Sequence, residues 1–183
     1  DPDGDLTVDN DGTGTVTVQG LVADGQVSTS GSGPTVINNP VGSLTVENTG
    51  TGLVTVLGVP AGETVTLTGD GPVVVGSALP EGQSIEVDVT GNQEGLTLDN
   101  EGSGTIVVTG ANNASIASTG SGPSTIQAPI GNLALDNQGT GTATAETRTV
   151  LKDSGSGSVY TYGGARGQIE EIVEEYDTFA VLG

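Results

Sequence analysis

The sequence predicts an all-β fold, a parallel β-solenoid (β-helix) of coils about 19 residues long. Three observations carry that prediction. One phrase recurs: LTVDNDGTGTVTVQG at 6–20, LTVENTGTGLVTVLG at 44–58, LTLDNEGSGTIVVTG at 96–110 and LALDNQGTGTATAET at 133–147. The first glycines of the G-x-G corners, Gly12, Gly31, Gly50, Gly69, Gly102, Gly120, Gly139 and Gly155, are spaced 19, 19, 19, 33, 18, 19 and 16 residues apart. Aliphatic residues then fall at fixed offsets from those glycines. Four before sit Val8, Val27, Val46, Val65, Leu98, Ile116, Leu135 and Leu151; six after sit Val18, Ile37, Val56, Val75, Val108, Ile126, Ala145 and Thr161.

Residues 1–5 form an acidic lead, and 6–163 the repeats. The position three before each glycine is mostly polar, so each repeat alternates inward and outward with the period of two that belongs to strands. Each coil makes two short strands. G-x-G turns one corner, because glycine has no Cβ to obstruct a tight turn. A variable stretch such as GLVADGQ or GVPAGET turns the other. The 33-residue step marks a diverged coil, about 77–95, whose strand SIEVDV has lost its own glycine turn. Asn10, Asn48, Asn100 and Asn137 precede alternate corners and Pro34, Pro72 and Pro123 follow the others. These asparagines are placed to stack amides along the axis and to satisfy buried turn carbonyls. The rival architecture is an antiparallel β-sandwich, since DNDG and ENTG also suit hairpin turns. Uniform columns disfavour it, because sandwich strands occupy unlike environments.

Residues 164–183 form a distinct cap or tail. Ile169, Ile172, Val173 and Tyr176 make a helical stripe at i, i+3, i+4 and i+7, and Phe179, Val181 and Leu182 follow. The tail either covers the last coil's open edge or is offered to a neighbouring subunit. The N-terminal side shows no matching cap. That polarity suits head-to-tail assembly, with Tyr176, Phe179, Val181 and Leu182 meeting Leu6 and Val8 of the next copy.

Composition narrows the function classes. One Phe, three Tyr and no Trp leave a core of small aliphatics, and 32 glycines without a G-X-Y period exclude collagen. A net charge of −20 repels nucleic acid and anionic lipid, so neither is an expected partner. No apolar run is long enough for a membrane helix. Starting at Asp1 without a Met, the chain reads as a processed, secreted product. Without His or Cys, the commonest general base, thiol nucleophiles and most transition-metal ligands are missing. Asp9, Glu47, Asp99 and Asp136 recur in register and read as one hydrated stripe, whereas a catalytic carboxylate pair is singular. The chain is therefore expected not to be an enzyme. The G-x-G corners are not phosphate loops either, since a nucleotide site uses one such loop at a helix start with a nearby Lys. At the N-terminus, DPDGDLTVDNDG has two readings: a solvated acidic segment, or a calcium site drawn from Asp1, Asp3, Asp5, Asp9 and Asp11. The column Thr17, Val36, Thr55, Val74, Val107, Thr125, Thr144, Tyr160 raises ice binding, but large aliphatics interrupt the threonines.

LTVDNDGTGTVTV, VSTSGSGPTVI and LTLDNEGSGTIVV together resemble the glycine-rich coils of bacterial auto-transporter adhesin domains, over residues 6 to about 163. The resemblance implies a right-handed β-helix on a cell surface without catalytic activity. The acid excess and the tail depart from that family. The function expected is a structural subunit of an extracellular fibre or surface layer that assembles with copies of itself. The alternatives are a monomeric cell-surface adhesin that binds surface glycans, and then a polysaccharide-active β-helix enzyme or an ice-binding protein.

Overall fold

In a computed structural model the chain is a parallel β-solenoid, with 17 strands among the described residues. The structure describes residues 7–20, 25–127, 130–146, 151–153, 155–157, 159–162, 172–174 and 179–181. In order the strands are β1 (Thr7–Asn10), β2 (Val16–Gln19), β3 (Gly25–Thr29), β4 (Thr35–Asn38), β5 (Leu44–Asn48), β6 (Val54–Leu57), β7 (Thr64–Thr68), β8 (Val73–Ser77) and β9 (Ser84–Asn100). There follow β10 (Thr105–Gly120), β11 (Ser124–Ile126), β12 (Ile130–Asn137), β13 (Ala143–Glu146), β14 (Leu151–Asp153), β15 (Val159–Tyr162), β16 (Ile172–Glu174) and β17 (Phe179–Val181). Every recorded pairing is parallel, so the sandwich is not the fold.

Two ladders result. The front ladder runs β1, β3, β5, β7, the first part of β9, the first part of β10, β11, β13, β15, β17. The rear ladder runs β2, β4, β6, β8, the second part of β9, the second part of β10, β12, β14, β16. Strand β9 bends around the edge between the two ladders, and β10 does the same.

The alternation explains the strands. In β5 and β6, Leu44, Val46, Val54 and Val56 are buried, while Thr45, Glu47, Thr55 and Leu57 face outward to differing degrees. The aligned aliphatics Val27, Ile37, Val46, Val56, Val65, Val75, Leu98, Val108, Ile116, Ile126, Leu135 and Ala145 all lie in one core. Each fully buried Val, Leu or Ile contributes about 1.5–3 kcal/mol. Apart from the 33-residue step, two registers differ from the sequence alignment. Leu98 lies opposite Ser118, not Ile116. Val46 lies opposite Leu67, not Val65, because the longer GVPAGET corner moves the pairing by two residues. An even slip keeps the inward set inward.

The 33-residue step also proves different from one diverged coil. SIEVDV pairs with β7 below and with 105–109 above, and β8 pairs with Leu96–Asn100. The segment therefore carries one turn and a half. Up to Gly71 the G-x-G corners lie on one edge of the solenoid, and from Gly102 they lie on the other. There Gly102 stacks against Leu79 in the formerly variable corner, and Gly122 on Gly102. These corners need glycine because the coils nearly touch: a Cβ at Gly33 would overlap the Gly14 carbonyl oxygen, and one at Gly141 the Gly122 carbonyl oxygen.

The asparagines satisfy the corners as expected, but not by stacking amide on amide. Asn10 is followed by Thr29 and then Asn48 in the same lane. Thr29 Oγ1 donates to Asn48 Oδ1 at 2.7 Å. Asn48 Nδ2 donates to Gly52 O at 3.0 Å and Pro72 O at 2.8 Å, locking its own corner to the next. A hydroxyl between two asparagines supplies a donor where stacked amides would compete.

The expected C-terminal helix is absent from 172–174, which forms β16 on β14; β17 lies on β15. Ile172 and Val173 are β-branched, and the exposed edge of the preceding rung offers them a full ladder of hydrogen bonds. Ile169, Tyr176 and Leu182 lie outside the described residues.

Candidate functional site

The first rung is unlike the others. Val27 and Ile37 are 0% exposed, but their counterparts one coil below, Val8 and Val18, are only partly buried against the core. Among the described residues, β1 pairs only with β3 and β2 only with β4.

The direction of the unpaired groups follows from the bonds made. Val16 N–H donates to Pro34 O at 3.0 Å, and Gly20 N–H donates to Asn38 O at 3.1 Å. The Asn10 carbonyl accepts from Ser30 and Gly31 N–H at 3.2 and 3.1 Å. Successive residues in a parallel ladder bond to opposite neighbours. So Val8, Asn10, Val16 and Val18 bond inward along the axis, and Thr7, Asp9, Thr17 and Gln19 direct their backbone groups to the outer edge. Proteins usually guard such an edge with charge, proline or a bulge. Here Asp9 guards β1, while β2 (VTVQ) has none of these. Asn10 ties this rung to the next, donating from Nδ2 to Gly33 O at 3.2 Å and Thr35 Oγ1 at 3.0 Å.

At the far end, β16 and β17 repeat the register below them. Ile172 lies opposite Leu151 and Phe179 opposite Val159. No described strand pairs on their outer side. Among the described residues, both ends of the ladder are thus parallel strand edges with one side unpaired. Of the expected interface residues, Val8 sits in the open rung, and Phe179 and Val181 sit in the terminal one. Leu6, Tyr176 and Leu182 lie outside the described residues. Sequence reasoning missed Thr17 and Gln19, although the inward parity of Val16 and Val18 was enough to find them.

Other candidate chemistry is sparse. Among the described residues no group of three or more His, Cys, Asp or Glu is placed to hold a metal. Asp9 and Asp11 are exposed, and Asp1, Asp3 and Asp5 lie outside the described residues. The acidic stripe is not one stripe. Asp9 and Glu47 share a front lane with Ser28 between them, whereas Asp99 and Asp136 lie on rear strands in different lanes. The half-turn in the 33-residue step separates them.

Two shallow concavities open on the front. One, of about 470 Å³, is lined by Thr7, Gly25, Gln26, Ser43, Leu44, Thr45 and Thr66 and contains no ionisable side chain. The other, of about 180 Å³, includes Glu63 and Glu86. Their carboxylates accept from Ser43 Oγ at 3.1 Å and Thr109 Oγ1 at 3.0 Å. No helix among the described residues is long and apolar enough to cross a membrane. The fold and the open rung define a parallel β-solenoid with a ladder end that is unpaired among the described residues. No protein family, curated protein or solved structure matches the chain.

Proposed function

We propose that this protein is a non-catalytic structural subunit that stacks end to end with copies of itself into an extracellular fibre or surface layer. The observation that supports this reading is the unguarded edge of β2 beside the half-buried Val8 and Val18. Stacking the terminal rung of a second copy on that edge would pair the outward groups of Thr7, Asp9, Thr17 and Gln19. It would also complete the cover of both valines. Such a contact is heterologous and does not close, so it produces a filament. The mechanism is mechanical: parallel pairing continues along one axis from subunit to subunit.

The test is Thr17→Pro. Proline lacks an N–H and blocks pairing on the side that residue 17 faces. That side makes no bond within the described chain, so the circular dichroism spectrum should stay that of a β protein. Sedimentation should shift from polymer to monomer. Deletion of 176–183, which removes β17, should have the same effect. Polymers that persist in both variants refute axial pairing, and a wild-type chain that stays monomeric at every concentration favours the adhesin instead.

A further inference from the structure

Over its first six rungs the rear face is poor in charge, whereas the rear strands above them carry Asp136 in β12, Lys152 and Asp153 in β14 and Glu174 in β16. Its outward lanes follow from the registers. The central lane is Thr17, Val36, Thr55, Val74, Thr97, Ala117. This corrects the ice-binding column, whose Val107, Thr125, Thr144 and Tyr160 lie on the front ladder. A flanking lane is Gln19, Asn38, Leu57, Gly76, Asp99, Thr119.

Across the six rear strand segments from β2 to the second part of β10, Asp99 is the only ionisable side chain. The matching front segments carry Asp9, Glu47, Glu86 and Asp88. Two of the three large hydrophobics that the described surface exposes also border the rear lanes: Leu53 at 41% and Leu57 at 37%. Leu57 reaches along the axis over Gly76, where a Cβ would stand 2.7 Å from its Cδ2.

We propose that this six-rung rear patch is a lateral contact between filaments, each patch packing against the same patch of a second copy. The inference rests on the end-to-end stacking proposed above. Charge selects the occupant. In a chain of net charge −20, front-to-front contact opposes carboxylates, and an anionic partner is repelled from every surface. Contact between two such patches opposes Thr, Val and Leu, with Asp99 the one ionisable side chain in each. Area then sets the condition. Six rungs at about 4.8 Å by a strand width of about 13 Å give roughly 370 Å², under half of the ~800 Å² per partner in a stable complex. A lone pair of subunits is too weakly held. A filament repeats the face once per subunit, and repeated weak contacts in fixed geometry add as avidity. Lateral pairing is therefore a property of polymers alone, and it strengthens with salt as the remaining carboxylates are screened.

The experiment is electron microscopy of filaments of the full chain at low and high salt, for wild type, Thr55→Glu on the rear lane and Thr45→Glu on the front. Wild type and Thr45→Glu should run as side-by-side pairs, more so in high salt. Thr55→Glu should form filaments of unchanged length with about tenfold or greater loss of paired length, because the charge recurs in every subunit. Paired filaments in Thr55→Glu overturn the proposal. Single wild-type filaments overturn it too and leave the axial reading intact. If those single filaments slow ice growth and Thr55→Glu does not, the face belongs to an ice surface. Absence of any filament removes both readings.

Discussion

Replacing Asn100 by Ala tests the corner mechanism directly. Asn100 is 0% exposed. Its Nδ2 donates to Gly104 O at 2.8 Å in its own corner and to Pro123 O at 2.7 Å in the next coil, and its Oδ1 accepts from Gly102 N–H at 3.2 Å. Truncation leaves the Gly104 carbonyl and the Gly102 N–H without this partner, while the Pro123 carbonyl keeps its bond from Ile106 N–H at 3.2 Å. Each buried group left without a partner costs about 1–3 kcal/mol. Two such groups, partly relieved by relaxation, predict a loss of about 2–4 kcal/mol. Denaturant unfolding followed by circular dichroism measures it, with a midpoint that falls while the spectrum of the folded state is unchanged. Asn100→Asp should be no better, because a carboxylate cannot donate to either carbonyl. A loss under about 1 kcal/mol for Asn100→Ala would refute the view that this amide holds two coils together.

Three further outcomes follow from the same geometry. Gly33→Ala should destabilise by about 1–3 kcal/mol or more through overlap with Gly14 O, whereas Gly14→Ala, with nothing within 4 Å of its added methyl, should stay within about 0.5 kcal/mol in monomer unfolding. Val56→Ala in the fully buried core should cost about 2–3 kcal/mol in the same assay. Raising salt from about 0.01 to about 1 M, which shortens the screening length from about 30 to about 3 Å, should raise the melting temperature of this acidic chain, as scanning calorimetry would show.

The fold was legible because inward residues repeat with little variation. Val27, Ile37, Val46 and Val56 name their own columns, and the corner glycines mark where coils touch. The half-turn at 77–95 was not legible. SIEVDV keeps its alternation whichever edge its corners occupy, so inward positions survive the phase change and only outer lanes betray it. That is why Asp9, Glu47, Asp99 and Asp136 read as one stripe when they lie on two faces. The tail misled for a related reason. Ile172 and Val173 fit a helical stripe, and only the unpaired edge above β14, a non-local feature, turns 172–174 into a strand. The open rung was half legible: Val8 was visible as a column member without a neighbour below, while the outward Thr17 and Gln19 required the parity of β2.

The most direct measurement of the central claim is the spacing at the junction between subunits, read from cryo-electron microscopy of the assembled chain. If subunits stack end to end, β1 and β2 of one copy sit on β17 and β16 of the next at the rung spacing of about 4.8 Å, with the ladder unbroken. Subunits joined through corners or faces, with the outer edge of β2 still unpaired, would contradict that stacking.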